Sequence, residues 1–213
     1  MKFCVIGLGR FGYQLATTLA ENGMEVMAID SNESIVASIR DKVTQAICMR
    51  VHDEAALRSV GVDEMDTVIV AMGENFAQSI LITALLKKRL KVPNVTARAI
   101  NEIHQEILEL IGADRTILPE MEIGTRFADK LSSSFIDLLR ITKNFSISQI
   151  IVPASFIGKS LEELNLYENY KVHPIGVKKE SKVASVGPDY EVEENDKLLV
   201  SGHNENLEVV AKL

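Results

Sequence analysis

Several things are scarce or missing in this 213-residue chain, and each absence narrows what it can do. There are only two cysteines, Cys4 in the first strand pattern and Cys48 in the third. In a doubly wound sheet of order 3-2-1-4-5-6 those strands are not neighbours. A disulfide is therefore not expected, and both cysteines read as buried free thiols of a reducing cytoplasm. A surplus of basic residues is missing too: the net charge of −7 argues against a nucleic-acid binder that works through a general basic surface. No apolar run reaches the length of a membrane span. The longest, Ser79 to Leu86, ends in Lys87-Lys88-Arg89, a cluster that suits a helix C-terminus and needs no functional explanation. The chain opens directly on a core strand, so no signal peptide is expected, and any membrane role must come through a partner. The histidines, His52, His104, His173 and His203, are scattered, and none pairs with a cysteine or another histidine at metal-ligand spacing. His104 falls on the outer pattern of a helix and is expected in solvent. His52 follows the third strand and can meet a ligand, although a surface imidazole is the simpler reading. No internal repeat or low-complexity segment stands out.

What is present begins at residue 1. A short apolar run, Phe3 to Ile6, leads into Gly7-x-Gly9-x-x-Gly12, an apolar helical pattern follows, and Asp30 closes a second apolar run. This is the layout of a β-α-β nucleotide site. Gly7 permits the tight turn, Gly9 lets backbone approach a pyrophosphate, and Gly12 lets helix pack on strand. The helix that follows points its first N–H groups at the phosphates, and Asp30 can accept from ribose hydroxyls. Arg10 stands in the first helical turn, where the macrodipole opposes a cation unless an anion lies beside it. It reads as a phosphate contact, to its own ligand or to one held by a neighbouring subunit. An exposed arginine whose stem covers apolar surface is the alternative.

Strands read at about 2–6, 25–30, 45–49, 67–71, 95–98 and 115–118, and helices at about 10–22, 32–41, 53–60, 75–89 and 102–111. Alternation with nearly continuous apolar strands such as Thr67 to Ala71 indicates a parallel sheet covered on both faces. Gly23, Gly61 and Gly112 sit where helices should stop. After Pro119 a helical stretch runs from Glu120 to about Arg140, with Met121, Phe127, Leu131, Phe135, Leu138 and Leu139 at near-helical spacing. Its apolar face needs a cover, from a second subunit, the C-terminal segment or its own domain. Lys143 to Ser148 reads as a connector. Beyond it come strands at Gln149 to Pro153, Tyr170 to Val177 and Lys197 to Ser201, a short helix capped by Ser160, a turn at Gly187-Pro188 and a last helix from Asn206. The fold class is α/β: a Rossmann-like doubly wound parallel sheet with the helical stretch that follows it, residues 1–142, then a small β-rich α+β domain, residues 143–213. So short a second domain needs a partner surface to be stable.

Gly-Leu-Gly-Arg-Phe-Gly (7–12), Ala-Ile-Asp (28–30), Val-Ile-Val-Ala-Met-Gly-x-Asn (68–75), Ile-Gly-Ala-Asp-Arg-x-Ile-x-Pro-Glu (111–120) and Asn-Asp-x-Leu-Leu-Val-x-Gly (195–202) together resemble one family. It is that of the cytoplasmic regulatory subunits of Trk/Ktr-type bacterial potassium-uptake systems, with an RCK N-terminal and an RCK C-terminal domain. The resemblance covers nearly the whole chain. It implies that the helical stretch after Pro119 is a crossover helix exchanged between subunits, and that the chain forms a homo-oligomer, a dimer, tetramer or octameric ring, peripheral to the inner face of the membrane beneath a potassium-translocating subunit. It implies ATP/ADP or NAD(H) as ligand, whose exchange reshapes the ring. Gly7, Gly9, Arg10, Phe11, Gly12, Asp30, Ser31, Asp53, Ala71, Met72, Gly73 and Asn75 are then crevice residues. Arg10 would reach a phosphate across the dimer, Asp30 would hold ribose, and Arg98 matches a position near the phosphates. Glu120, in the Pro-Glu motif, is implied as a ligand of a divalent cation, Mg or Ca, bridging nucleotide and subunits; from the residues alone, Glu120 and Glu122 are helix-start acids.

Two departures matter. Many members read Gly-Asp-Ala-Thr after the third strand, whereas this chain has Met49-Arg-Val-His52, so Arg50 or His52 is expected at the adenine edge. Members that bind cyclic di-AMP often carry Arg soon after a Leu-Asn-Val/Leu, where this chain has Leu164-Asn-Leu166 and then Tyr167. Two other functions fit a β-α-β site. An NAD-dependent oxidoreductase needs a general acid/base and an anion clamp, for which the last third of the chain shows no convergent Arg-His-Asp set. A nucleotide-dependent scaffold without gating is the other.

Overall fold

The computed structural model describes residues 1–73, 75–132, 137–180 and 182–213. By internal contacts it divides into two units, Met1–Glu122 and Ile123–Leu213. None of its described helices is long and apolar enough to cross a membrane.

The first unit alternates β1 (Lys2–Ile6), α1 (Arg10–Glu21), β2 (Glu25–Asp30), α2 (Glu33–Ile39), β3 (Gln45–Cys48), α3 (Glu54–Ser59), β4 (Thr67–Val70), α4 (Phe76–Ala84), β5 (Asn94–Arg98), α5 (Glu102–Ile111) and β6 (Arg115–Ile117). The six strands are parallel in the order β3-β2-β1-β4-β5-β6, with the direction of winding reversing between β1 and β4. One sheet face is covered by an apolar cluster including Cys4, Ile29, Leu57, Val68, Leu86 and Leu108. The other packs Val5, Leu8, Ala28, Ile39 and Ile69. Burial on both faces explains why the strands read as apolar runs rather than alternating ones. Cys4 and Cys48 lie on strands separated by β2, and neither is in a disulfide. Cys4 is buried, and burial pushes its thiol well above the ordinary range. Cys48 is exposed, contrary to expectation, because it ends the edge strand β3.

Helix α4 is followed by a π-helical turn, Leu85–Leu90, and by Lys91 in the left-handed region at φ 55°. Within that turn Lys87 is held by Asp114, its Nζ 2.8 Å from Oδ2, so one residue of the basic cluster has a structural task. Helix α6 (Pro119–Ser132) follows β6, and the unit boundary falls within it. The helix expected to continue to Arg140 is corrected here, because Asp137–Arg140 forms a strand, β7. Phe135 lies outside the described residues. Hairpin pairing decides the matter: β7 runs antiparallel to β8 (Phe145–Ile151), from Asp137 opposite Gln149 to Arg140 opposite Ser146. The connector expected at 143–148 is accordingly the turn of a hairpin plus the start of β8.

The second unit continues with α7 (Leu161–Leu164), α8 (Leu166–Tyr170), β9 (Val172–Lys179), β10 (Lys182–Ser185), β11 (Lys197–His203) and α9 (Asn204–Ala211). Its sheet order is β10-β9-β11-β8-β7. Ile150, Leu161, Leu166, Val177, Leu198, Val200 and Leu207 form its core. Ser160 and Glu163 make a reciprocal capping box at α7. Edge strand β10 escapes a pattern reading because all four residues are exposed and no buried face marks them.

Candidate functional site

Strand β1 delivers the chain to Gly7, whose φ of 93° lies in the left-handed region that side chains rarely adopt. A β-carbon on Gly12 would fall 1.9 Å from the Gly7 carbonyl oxygen and 3.0 Å from Ala71 Cβ, so glycine there lets α1 lie against the loop. Gly9 is different. It is the N-cap of α1 at φ −61°, ordinary backbone, and nothing stands within 4 Å of where its β-carbon would be. The fold itself asks for no glycine at that position. Helix α1 starts without a capping side chain and without an acid in its first turn. By contrast Asn32, Asp53, Asn75 and Asn101 cap α2, α3, α4 and α5. The first N–H groups of α1 and the positive end of its dipole are thus left uncompensated, and exposed Arg10 adds a full charge. The arrangement favours an anion.

A cavity of about 540 Å³ opens beside this loop, at the carboxyl ends of β1, β2 and β3 and against α4 from Ala77 to Ile82. Of the residues expected at the site, Gly7, Asp30, Ser31, Arg50, His52, Met72 and Asn75 line it. Asp30 holds the loop as well as facing the cavity. Its Oδ2 accepts from the Leu8 N–H at 2.6 Å and its Oδ1 from the Asn32 N–H at 2.8 Å. Asn75 caps α4 by accepting from the Gln78 N–H at 3.0 Å. Gln78 was not anticipated. Its Nε2 donates to the Val51 carbonyl at 2.9 Å, joining the loop after β3 to the start of α4 across one wall of the cavity. The Asn75-x-x-Gln78 spacing, that of a cap and its third helical residue, is the signal that could have found it.

The other expected residues lie outside the cavity lining. Gly9, Arg10, Phe11 and Gly12 form the start of α1. Asp53 caps α3, accepting from the Ala56 N–H at 2.8 Å. Ala71 is buried behind Gly12. Gly73, Arg98 and Glu120 form a second cluster around the Arg98 guanidinium. Its Nη2 pairs with a Glu120 carboxylate oxygen, and its Cζ lies 5.8 Å from the centre of the Phe11 ring. A β-carbon at Gly73 would stand 2.5 Å from Nη1, so the guanidinium would have to shift to admit one. Arg98 Nε is buried without a partner among the described residues. Among those residues no group of three or more His, Cys, Asp and Glu could hold a metal. Glu120 brings one carboxylate, already engaged, which fits a cation only if most ligands come from elsewhere.

His104 is not in solvent. It is fully buried in α5, with Nδ1 accepting from the Ile100 N–H at 3.4 Å and its ring 4.4 Å from that of Phe76. Burial lowers its pKa. The buried stripe of α5 passes through His104 and Leu108, four residues apart, so the histidine shares the inward face.

Comparison with known proteins agrees with this architecture. Residues 3–119 match the TrkA-N domain and residues 147–213 the TrkA-C domain. The chain is 34% identical over 208 residues to Ktr system potassium uptake protein A of Bacillus subtilis, covering 97% of this chain and 93% of that one. It is 35% identical over 183 residues to Ktr system potassium uptake protein C of the same organism, covering 85% and 82%. Among solved structures, the GsuK channel bound to NAD superposes with a TM-score of 0.55 at 20% identity, over 99% of this chain and 38% of the channel chain. The TrkA-N domain of inner membrane protein ybaL from Escherichia coli gives 0.56 at 18% identity, over 62% and 96%. At that identity the structures speak for the fold, which is the same Rossmann-like first domain. The two domain matches and the full-length likeness to the Ktr proteins place this chain in the TrkA-N/TrkA-C family of potassium-uptake proteins.

Proposed function

We propose that this protein is a nucleotide-sensing regulatory subunit of a potassium-uptake system, not an enzyme. The observation that carries the reading is the uncapped start of α1 beside the cavity, with glycine at position 9 where the backbone requires none. A β-carbon there would clash with nothing in the protein and would obstruct a phosphate lying on the loop. The relatives named as Ktr potassium uptake proteins supply the transport context, and GsuK structures described as bound to NAD and to ADP support nucleotide as the ligand class.

The phosphates of ATP, ADP or NAD(H) lie on Gly7, Gly9 and Gly12, met by the first N–H groups of α1 and by Arg10, its own or a neighbour's. Asp30 and Ser31 face the ribose, and Arg50 and His52 stand at the base end with Asn75. A divalent cation would be held by Glu120 with the remaining ligands from elsewhere, and would offset the negative charge of a bound nucleotide. Residues 1–142 serve as the nucleotide domain and 143–213 as a ligand-binding and dimerisation domain. The exposed apolar side chains Met121, Ile123, Phe127 and Leu131 on α6 support pairing with a second copy. The protein acts at the inner face of the membrane through a potassium-translocating partner, and ligand exchange gates that partner because the ligands favour different subunit geometries.

Calorimetric titration of the purified protein with ATP, ADP and NADH, with particle size followed in parallel, tests this. Binding at the β1–α1 loop with a ligand-dependent change in assembly is expected. No binding of any of the three defeats the reading, and consumption of NADH with a hydride acceptor would replace it with an oxidoreductase.

A further inference from the structure

The guanidinium of Arg98 lies beside the start of α1, against Phe11, and is paired with the Glu120 carboxylate. A chain of close contacts joins it to the loop. Gly7 abuts Met72, a β-carbon on it falling 2.8 Å from Met72 Cγ, and the next residue, Gly73, carries the guanidinium against its backbone. On the other side the guanidinium lies within cation–π reach of Phe11, the second residue of α1. The side chain is 17% exposed, and its Nε lacks a partner among the described residues. Glu120, its ion-pair partner, is 67% exposed, on the first turn of α6. A half-satisfied, mostly buried cation is therefore held by an acid that loses little by returning to water.

We propose that Glu120 is an internal competitor for Arg98, so that a ligand's phosphates bind at the Gly7–Gly12 loop by drawing the guanidinium away from the first turn of α6. The inference rests on the nucleotide reading and deepens it by naming how the site discriminates and how occupancy is reported. Phosphate offers Arg98 denser charge than a carboxylate and a bidentate partner. The more phosphate charge a ligand brings, the more completely it displaces Glu120, whereas a nucleoside without phosphate leaves the pair intact. The released carboxylate is then free for a cation or for a different setting of α6.

Calorimetry in EDTA with ATP, ADP, NADH and adenosine tests the competition on wild type, Glu120→Gln, Arg98→Gln, the double variant and Glu122→Gln. Removing the competitor should tighten the phosphate-bearing ligands roughly three- to tenfold, the scale of a partly exposed ion pair. Adenosine should be unchanged, and the gain should vanish in the double variant. Glu122→Gln removes the same charge from the same turn and should give no such gain, which separates pairing from general electrostatics. Wild-type binding with no tightening in Glu120→Gln, or equal tightening in Glu122→Gln, overturns the competition and leaves the nucleotide reading standing. Failure of the wild type to bind any nucleotide defeats both. Melting curves of each variant establish that they fold.

Discussion

A β-carbon on Gly12 would lie 1.9 Å from the Gly7 carbonyl oxygen, while one on Gly9 would meet nothing. The two glycines therefore answer to different demands, packing in one case and access in the other. Gly12→Ala should cost about 1–3 kcal/mol or more, because backbone must shift to admit the methyl group. Gly9→Ala should stay within about 1 kcal/mol of wild type and instead weaken nucleotide binding. Thermal melts and titrations on the same two proteins check both halves, and unchanged affinity in Gly9→Ala would remove the loop from the site. His104 carries a prediction in pH. Its folded-state pKa is lowered by burial, so the unfolded chain takes up the proton more readily. The stability it lends is complete above the ordinary histidine value of about 6.5 and declines as pH falls below it. The melting temperature of wild type should drop more steeply between about pH 7.5 and 5 than that of His104→Phe, which has no proton to gain. Parallel slopes would show that this imidazole does not titrate with folding.

The element most poorly read from sequence is the one after Pro119. Leu138 and Leu139 continue a helical spacing begun at Met121, yet they belong to β7, since a hairpin with β8 satisfies that backbone instead. Spacing along a chain reports which face is apolar, not which segment will hydrogen-bond beside it. The same limit applies to the basic cluster after α4. Lys87 lies in a π-helical turn, where its Nζ also donates to the Val92 and Pro93 carbonyls at 3.2 and 3.3 Å. Its partner Asp114 also accepts from the Val95 N–H at 2.7 Å. Partial burial pushes the Asp114 pKa up, but the Lys87 and Val95 bonds outweigh it and hold the carboxyl below its usual value. The stability this contributes is present above the ordinary carboxylate pKa and is lost as pH falls through the lowered one. Asp114→Ala should cost on the order of 1 kcal/mol, with the deficit against wild type shrinking in acid. A deficit that grows in acid would contradict the tie.

Across the whole molecule, Met121, Ile123, Phe127 and Leu131 are each more than half exposed on α6, an unusual run for one helix. If that face joins two copies, Phe127→Asp should lower the particle mass measured by light scattering without shifting the fold by circular dichroism. An unchanged mass would take α6 out of the assembly. The loop of Gly7, Gly9 and Gly12 was legible in the sequence because it depends on residues near one another in the chain, whereas the strand order, which pairs Phe3 with Thr67, followed from the usual doubly wound arrangement and the RCK-type architecture from the family resemblance.

What the amino-acid order determined alone was local: a strand, a three-glycine loop, a helix with Arg10 in its first turn and an acid at the end of the next strand, all read from backbone sterics and apolar periodicity. Only the tertiary structure decided that Asp30 grips the Leu8 N–H, that Gln78 bridges to Val51, that His104 turns inward and that Arg98 meets Glu120. Those partners stand 22, 27 and 22 residues apart in the three bonded pairs. No periodicity of 2 or 3.6 spans such separations, so their meeting follows from how the strands stack and wind.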